Sequence, residues 1–248
     1  GSTWQCLIFR HVPTEKLSRA NIIISNPSIG TDQLFMGKDA ICQKTNVTMT
    51  TKLVWIPGVM NVSALPRYEG EAAKARSRRM RDGFFDRYCS GLGLDIGHGG
   101  DPVVPTCDLW DKAEGDATLL SGVPDGVYDF VYAGHILEHL DDPIMAFRNW
   151  WRVLRPDGFL IVCVPHRDLY EKRTMLPSVW SCEHKRFYLP AQSDPPDTLS
   201  FYGIIHAALP TAELIYLKPC DEGHTIQDPN IHADGEYQIE AVLKKVVA

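Results

Sequence analysis

Leu94-Asp95-Ile96-Gly97-His98-Gly99-Gly100-Asp101 decides how the chain is read. Residues 92–96 form a short apolar run that predicts a buried strand. The run carries an acidic side chain near its end and then breaks into glycines. Glycine lets the backbone turn sharply and lets a ligand approach with no Cβ in the way. At the carboxyl edge of a parallel sheet, that is where nucleotide-like ligands sit. An ordinary strand-to-loop turn has the same local look, so the reading depends on what surrounds the stretch.

The 248 residues suffice for one large domain, or one domain with an extension. A hydrophobic share of 44% and a charged share of 23% are those of a soluble globular protein. The net charge of -6 argues against a general nucleic-acid binder. No apolar run approaches the roughly 18–20 residues of a membrane span, and no signal-peptide pattern is present. Gly1-Ser2-Thr3 reads as a cloning scar, which leaves the natural start open. Cys6, Cys42, Cys89, Cys107, Cys163, Cys182 and Cys220 are scattered, odd in number and without a C-x-x-C pair. This pattern points to a reducing, cytoplasmic setting rather than to a disulfide framework.

Residues 1–65 read as a β-rich extension, with Ile22-Ile23-Ile24 and the Thr- and Val-rich residues 45–56 as strand candidates. It could cover an active site, bind an acceptor, mediate dimer contact or end a preceding module. Residues 66–248 form the second domain. Residues 69–88 predict a helix with a basic face of Lys74, Arg76, Arg78, Arg79, Arg81 and Arg87. That face is either solvated and paired with carboxylates or a platform for an anionic acceptor.

After the glycine turn, a very short strand ends near Asp108-Leu109, about a dozen residues past Gly97. An acidic side chain there can accept both hydroxyls of a ribose. Residues 128–132 are a strongly apolar strand. Asp142-Pro143 opens a helix, Asp as cap and Pro at its first position. Ile144, Phe147, Trp151 and Leu154 line its inner face, and Arg155-Pro156-Asp157-Gly158 stops it. Residues 159–164 are a buried strand. Residues 165–194 form a long loop rich in His, Arg, Tyr, Trp and Pro. A helix over 195–209 and a strand pair, 214–217 with 237–243, close the chain.

Four features come in order: Asp95-x-Gly97-x-Gly99; Asp108; Asp116-Ala117 before residues 125–131; and His135-Ile136-Leu137-Glu138-His139-Leu140-Asp141-Asp142-Pro143 followed by residues 151–159. Together they resemble the class I S-adenosylmethionine-dependent methyltransferases over about residues 80–245. The resemblance implies a Rossmann-like α/β fold with a seven-stranded, mostly parallel sheet and an antiparallel last strand. It implies S-adenosylmethionine as cofactor, passing its methionine part over Gly97, His98 and Gly99 with Asp95 ordering the turn. Asp108 and its neighbour Leu109 would meet the ribose, Asp116 and Ala117 the adenine, and Ala133 and Gly134 the cofactor floor. His98 within the turn and the short spacing before Asp108 depart from the usual pattern.

Transfer to a hydroxyl needs a base or a metal as well as alignment. His135 stands just past a strand end and is the first candidate base, with His166 and His184 of the long loop next. His135, Glu138 and His139 fall at helical spacing on one face. H-x-x-E-H also occurs in zinc proteases, but its place after a buried strand argues against that reading. The quinone-biosynthesis O-methyltransferases look similar in this turn, which implies a divalent metal ion at His135, Glu138 and His139. The alternative is a structural polar pair, Glu138-His139, holding the turn.

Aromatic rings mixed with charge over residues 165–188 suit a sugar, nucleotide sugar or glycan acceptor. The same loops resemble methyltransferases found with glycan and polysaccharide assembly proteins. That implies O-methylation in glycan biosynthesis, with a glycosyltransferase module or a second copy of the chain as partner. The alternative acceptor is a small phenolic, amine or natural product. A non-catalytic module that keeps the fold is a third reading. A nucleic-acid acceptor is not expected, because Ala133-Gly134-His135-Ile136 stands where an Asn/Asp-Pro-Pro-Tyr motif would be.

Overall fold

Hydrophobic runs and glycine breaks set the strand order, and a computed structural model describes residues 71–246. The expected N-terminal β-rich extension and its boundary at residue 65 lie outside the described residues. Within them, helices α1 (Glu71–Arg81) and α2 (Phe84–Tyr88) come first. The basic helix expected over 69–88 is thus broken, and Gly83 at φ 66 makes the break.

The central sheet contains β1 (Gly93–Ile96), β2 (Asp108–Trp110), β3 (Tyr128–Gly134), β4 (Leu154–Pro165), β7 (Glu213–Cys220) and β8 (Gln238–Lys244), in the order β2-β1-β3-β4-β8-β7. The first four run parallel, and β8 runs antiparallel to both neighbours. The expected antiparallel last strand is present, but among the described residues the sheet has six strands and not seven. Residues 111–127, between β2 and β3, form turns and add no strand to it. Gly115, Gly122 and Gly126 there have φ of 142, 88 and 64, and Leu120 has φ 46, values a strand cannot use.

Helix α3 (Pro143–Arg152) is capped as its sequence predicts: the Asp142 side chain accepts from the Met145 amide at 2.9 Å. Its buried face is Pro143, Ala146, Phe147 and Trp150. Ile144 and Trp151 pack on the flank of the core, and Leu154 already belongs to β4. Arg155-Pro156-Asp157-Gly158 do not lie outside the strand. They bulge from β4, whose pairing with β3 steps from Tyr128–Leu154 to Phe130–Phe159. The later helix is shorter than predicted: β6 (Thr198–Ser200) leads into α4 (Phe201–Ala208), capped by Ser200. Strand β5 (Phe187–Leu189) pairs with β6 in a small second sheet. One core lies between the sheet and α3 with α4, built on Phe147, Trp150, Leu160, Val162 and Phe201.

The other face of the sheet carries α1. Arg79, fully buried, donates to Glu240 at 2.9 Å, to the Tyr132 hydroxyl at 3.1 Å and to Cys163 Sγ at 3.1 Å. Arg78 donates twice to Glu236, at 2.8 Å each, and to Glu240 at 3.1 Å. Arg76 pairs with Asp101, and Arg81 with Glu222. The basic helix is therefore a structural clamp, and these four guanidiniums are taken up by carboxylates rather than held out for an anionic acceptor. The five described cysteines are free thiols. No helix among the described residues is long and apolar enough to cross a membrane.

Candidate active site

The parallel register brings the carboxyl ends of β1, β2 and β3 to one edge of the sheet. There Gly97 takes φ 73 and Gly99 φ 54. A Cβ on Gly97 would stand 2.9 Å from the Ile136 Cβ, so only glycine fits between the turn and the start of the next segment. The Gly97 amide donates to the Trp110 carbonyl at 2.8 Å and ties the turn to the end of β2.

Asp95 points under the turn and accepts from the Val103 amide at 2.6 Å. Burial pushes its carboxyl up, only partly offset by that amide, to about 7. His98 accepts from the Gly100 amide through Nδ1 at 3.0 Å, so it organises the turn locally.

A cavity of about 470 Å³ opens beside this turn, within the range of small-ligand pockets. Gly97, Asp111, Asp116, Ala117 and Ile136 line one part of it, and His139, Cys182 and His184 another. Asp116 and Ala117, which the resemblance gives to the adenine, are both among the lining residues. Helix α3 fixes their turn: Trp150 Nε1 donates to the Ala117 carbonyl at 2.8 Å.

Asp108 does not line the cavity. It opens β2 opposite Leu94, two residues before the strand ends, and takes a hydrogen bond from the Tyr128 hydroxyl at 3.2 Å. Asp111, one residue past β2, lines the cavity and lies 3.4 Å from the Gly99 amide. Sequence reasoning passed over Asp111 because it ended β2 too early; Trp110 pairing with Ile96 moves the strand end on. Leu109 is an exposed side chain of this edge strand, and Ala133 is fully buried in the core. Gly134 ends β3 below the site.

The three candidate histidines separate. His135, at φ 54, turns toward β8, where its Nε2 stands 3.1 Å from Gln238 Oε1. Gln238 donates through Nε2 to Glu236 at 3.1 Å, which fixes the amide with its oxygen toward the imidazole. His135 Nε2 therefore carries the proton, and in the neutral ring the lone pair lies on Nδ1. His166 accepts from the Asp168 amide at 3.2 Å and caps the π-helical turn Arg167–Glu171; burial lowers its pKa.

His184 comes from the long loop to Glu138 and His139, on the 3-10 turn Leu137–His139. One donor atom of each of these three residues lies within 4.8 Å of the others. The expected trio of His135, Glu138 and His139 is not the one that gathers. A 3-10 turn has three residues per turn, and the positive φ at His135 points that ring away. The Lys185 amide bonds the Glu138 carbonyl at 2.9 Å and staples the loop to the turn.

Residues 84–162 match the family described as "Methyltransferase domain". No curated protein matches the sequence. Among solved structures, the N-methyltransferase NodS of Bradyrhizobium japonicum in complex with S-adenosyl-L-homocysteine is similar, at TM-score 0.45 and 13% identity over 72% of this chain and 89% of that one. A S-adenosylmethionine-dependent methyltransferase of Aquifex aeolicus is similar at TM-score 0.38 and 13% identity, over 62% and 82%. A protein described for conversion of a disulfide bond into a thioacetal group during echinomycin biosynthesis gives 0.46 and 10%, over 69% and 80%. The family match, residues 84–162, spans α2, β1 to β3 and most of β4, with the glycine turn at their carboxyl edge inside it.

Proposed function

We propose that the protein transfers a methyl group from S-adenosylmethionine to a hydroxyl of a sugar or glycan. The observation that carries this reading is the cavity beside Gly97, with the glycine turn and two acidic residues on one side and a loop with imidazoles on the other. The site fits the cofactor: the turn has no Cβ to fill the cradle, and Asp111 and Asp116 are acceptors for ribose and adenine groups. When bound, the sulfonium supplies an activated methyl group and leaves as a neutral thioether.

The protein then has to hold the acceptor oxygen in line, exclude water and take the hydroxyl proton. Residues 182–185 wall one side of the cavity. His135, which stands just past the end of β3 and outside the cavity lining, is the proposed base, with Gln238 holding its Nε2–H. The sugar reading is supported by a cluster of rings behind the loop. Tyr170 lies 4.8 Å from Tyr237 and 5.3 Å from His232 between ring centres, and Trp180 lies 5.2 Å from His232. Tyr170 and Tyr237 are buried behind the others, so half-buried Trp180 and exposed His232 are the rings of this cluster with surface left to stack on the apolar face of a sugar.

The test is transfer of labelled methyl to a panel of sugars, nucleotide sugars, short glycans, phenols and amines. Transfer to sugars, reduced at least about a hundredfold by His135→Ala, is expected. Transfer to amines alone, unchanged by His135→Ala, would replace the sugar reading with an already nucleophilic acceptor.

A further inference from the structure

Glu138 is 1% exposed, and neither carboxylate oxygen has a hydrogen-bond partner. Among the described residues it is the one carboxylate with both oxygens buried and unbonded. Removing a carboxylate from water costs several kcal/mol, on the order of a large part of a domain's stability, unless something positive meets it.

What meets it is two imidazoles. His184 Nε2 and His139 Nε2 each stand 3.8 Å from Glu138 Oε1, too far for a hydrogen bond. On the far side of its ring, His184 Nδ1 lies 2.8 Å from Glu171 Oε1. Glu171 is as buried as Glu138, and a carboxylate only accepts. So Nδ1 carries the hydrogen, and in the neutral ring the Nε2 lone pair faces Glu138. Two acceptors thus point at one small space between them.

We propose that Glu138, His139 and His184 bind one divalent transition-metal ion, with Glu171 as the positioning carboxylate of His184. Metal–donor bonds of about 2.0–2.2 Å put donors about 3.0–3.6 Å apart. The two 3.8 Å pairs need to close by only a few tenths of an ångström, and the widest separation, up to 4.8 Å, by more. A histidine ligand whose other nitrogen donates to a carboxylate is the usual outer arrangement of a metal site. Two imidazoles and one carboxylate favour zinc, manganese, iron or cobalt over magnesium or calcium. Three protein ligands leave coordination positions open, and His139 and His184 both line the cavity. An acceptor oxygen bound there would be acidified and held near the cofactor. Ion binding itself does not depend on the proposed reaction; this use of the ion does.

The test uses the full chain, stripped with chelator and titrated separately with Zn²⁺, Mn²⁺, Co²⁺ and Mg²⁺ by calorimetry. Bound metal is counted by mass spectrometry, and the visible absorption of the Co²⁺ form reports its ligands. One transition-metal ion per chain is expected, with Mg²⁺ binding much more weakly. Glu138→Gln and His184→Ala should weaken Zn²⁺ at least a hundredfold, and Glu171→Gln about 10- to 100-fold. S-adenosylhomocysteine binding reports whether each variant is folded. Wild-type protein that takes up no stoichiometric ion overturns the site, whatever the variants do. So does Zn²⁺ affinity unchanged in folded Glu138→Gln and His184→Ala. Stoichiometric binding with no methylation of sugars would remove the sugar reading and leave the site. Chelator-insensitive sugar methylation by protein without an ion would do the reverse.

Discussion

Glu240→Gln tests whether α1 is held by charge. Glu240 has no exposed surface and accepts from Arg79, Arg78 and the Tyr216 hydroxyl. Burial alone would push its carboxyl up, but the Arg79 and Arg78 guanidiniums overrule burial and hold it down to about 2. Against an ordinary value of 4.5, that gap is worth about 3 kcal/mol. It agrees with the about 3–5 kcal/mol typical for removing one partner of a buried pair. Because the folded value is depressed, the contribution is whole above pH 4.5 and is lost as pH falls toward 2. Urea unfolding of wild type and variant should therefore differ by about 3 kcal/mol at neutral pH. Near pH 3 the difference should be less than half of that. A difference that stays constant over this range would refute the reasoning. So would one under about 1 kcal/mol at neutral pH, the value of an exposed ion pair.

Asp95 has the opposite sign. Its carboxyl is held up to about 7 by burial against 3.8 in the unfolded chain, so stability falls as pH rises through that window. Asp95→Asn should remove the fall, which between pH 5 and 8 amounts to about 2–3 kcal/mol, read from thermal melts of wild type and variant at those two pH values. For the cofactor, Asp111→Ala should weaken S-adenosylhomocysteine at least about tenfold, or about 1.4 kcal/mol. Asp108→Ala should change it less than about twofold, since Asp108 lies outside the cavity; calorimetry that ranks the two the other way would return the ribose to Asp108.

What was legible in the sequence was local. The strand before Gly97, the cap at Asp142 and the buried run through Leu160 and Val162 all follow from neighbouring residues, whereas the antiparallel last strand was implied by the family resemblance. Strand ends were less legible, because pairing sets them. Asp108 opens β2 and Asp111 follows its last residue, and only the register Ile96–Trp110 tells which one reaches the edge. The face of β8 was illegible for another reason. Gln238 and Glu240 alternate with Ile239 and Ala241, the pattern of a strand with one wet face. Here both residues are buried, because α1 brings two arginines to that face from more than a hundred and fifty residues away in sequence.

Glu240 and Glu138 show why one buried glutamate is read as structure and the other as a site. Both have essentially no exposed surface. Glu240 has guanidinium and hydroxyl donors on its oxygens, and its charge is balanced within the fold. Glu138 has none. Its nearest ionisable neighbours are imidazoles, one of them oriented by Glu171 so that its lone pair faces the carboxylate. A proton between them would need the pair to close to hydrogen-bond length, about 2.7–3.2 Å, with His139 left aside. A metal ion accepts all three donors at a wider spacing and leaves room for an oxygen from the cavity. The long loop bearing His184 is stapled to the turn by the Lys185 amide, so the donors meet through the backbone and not by chance of rotamer. The same loop that walls the cavity thereby brings His184 to Glu138 and His139 beside it.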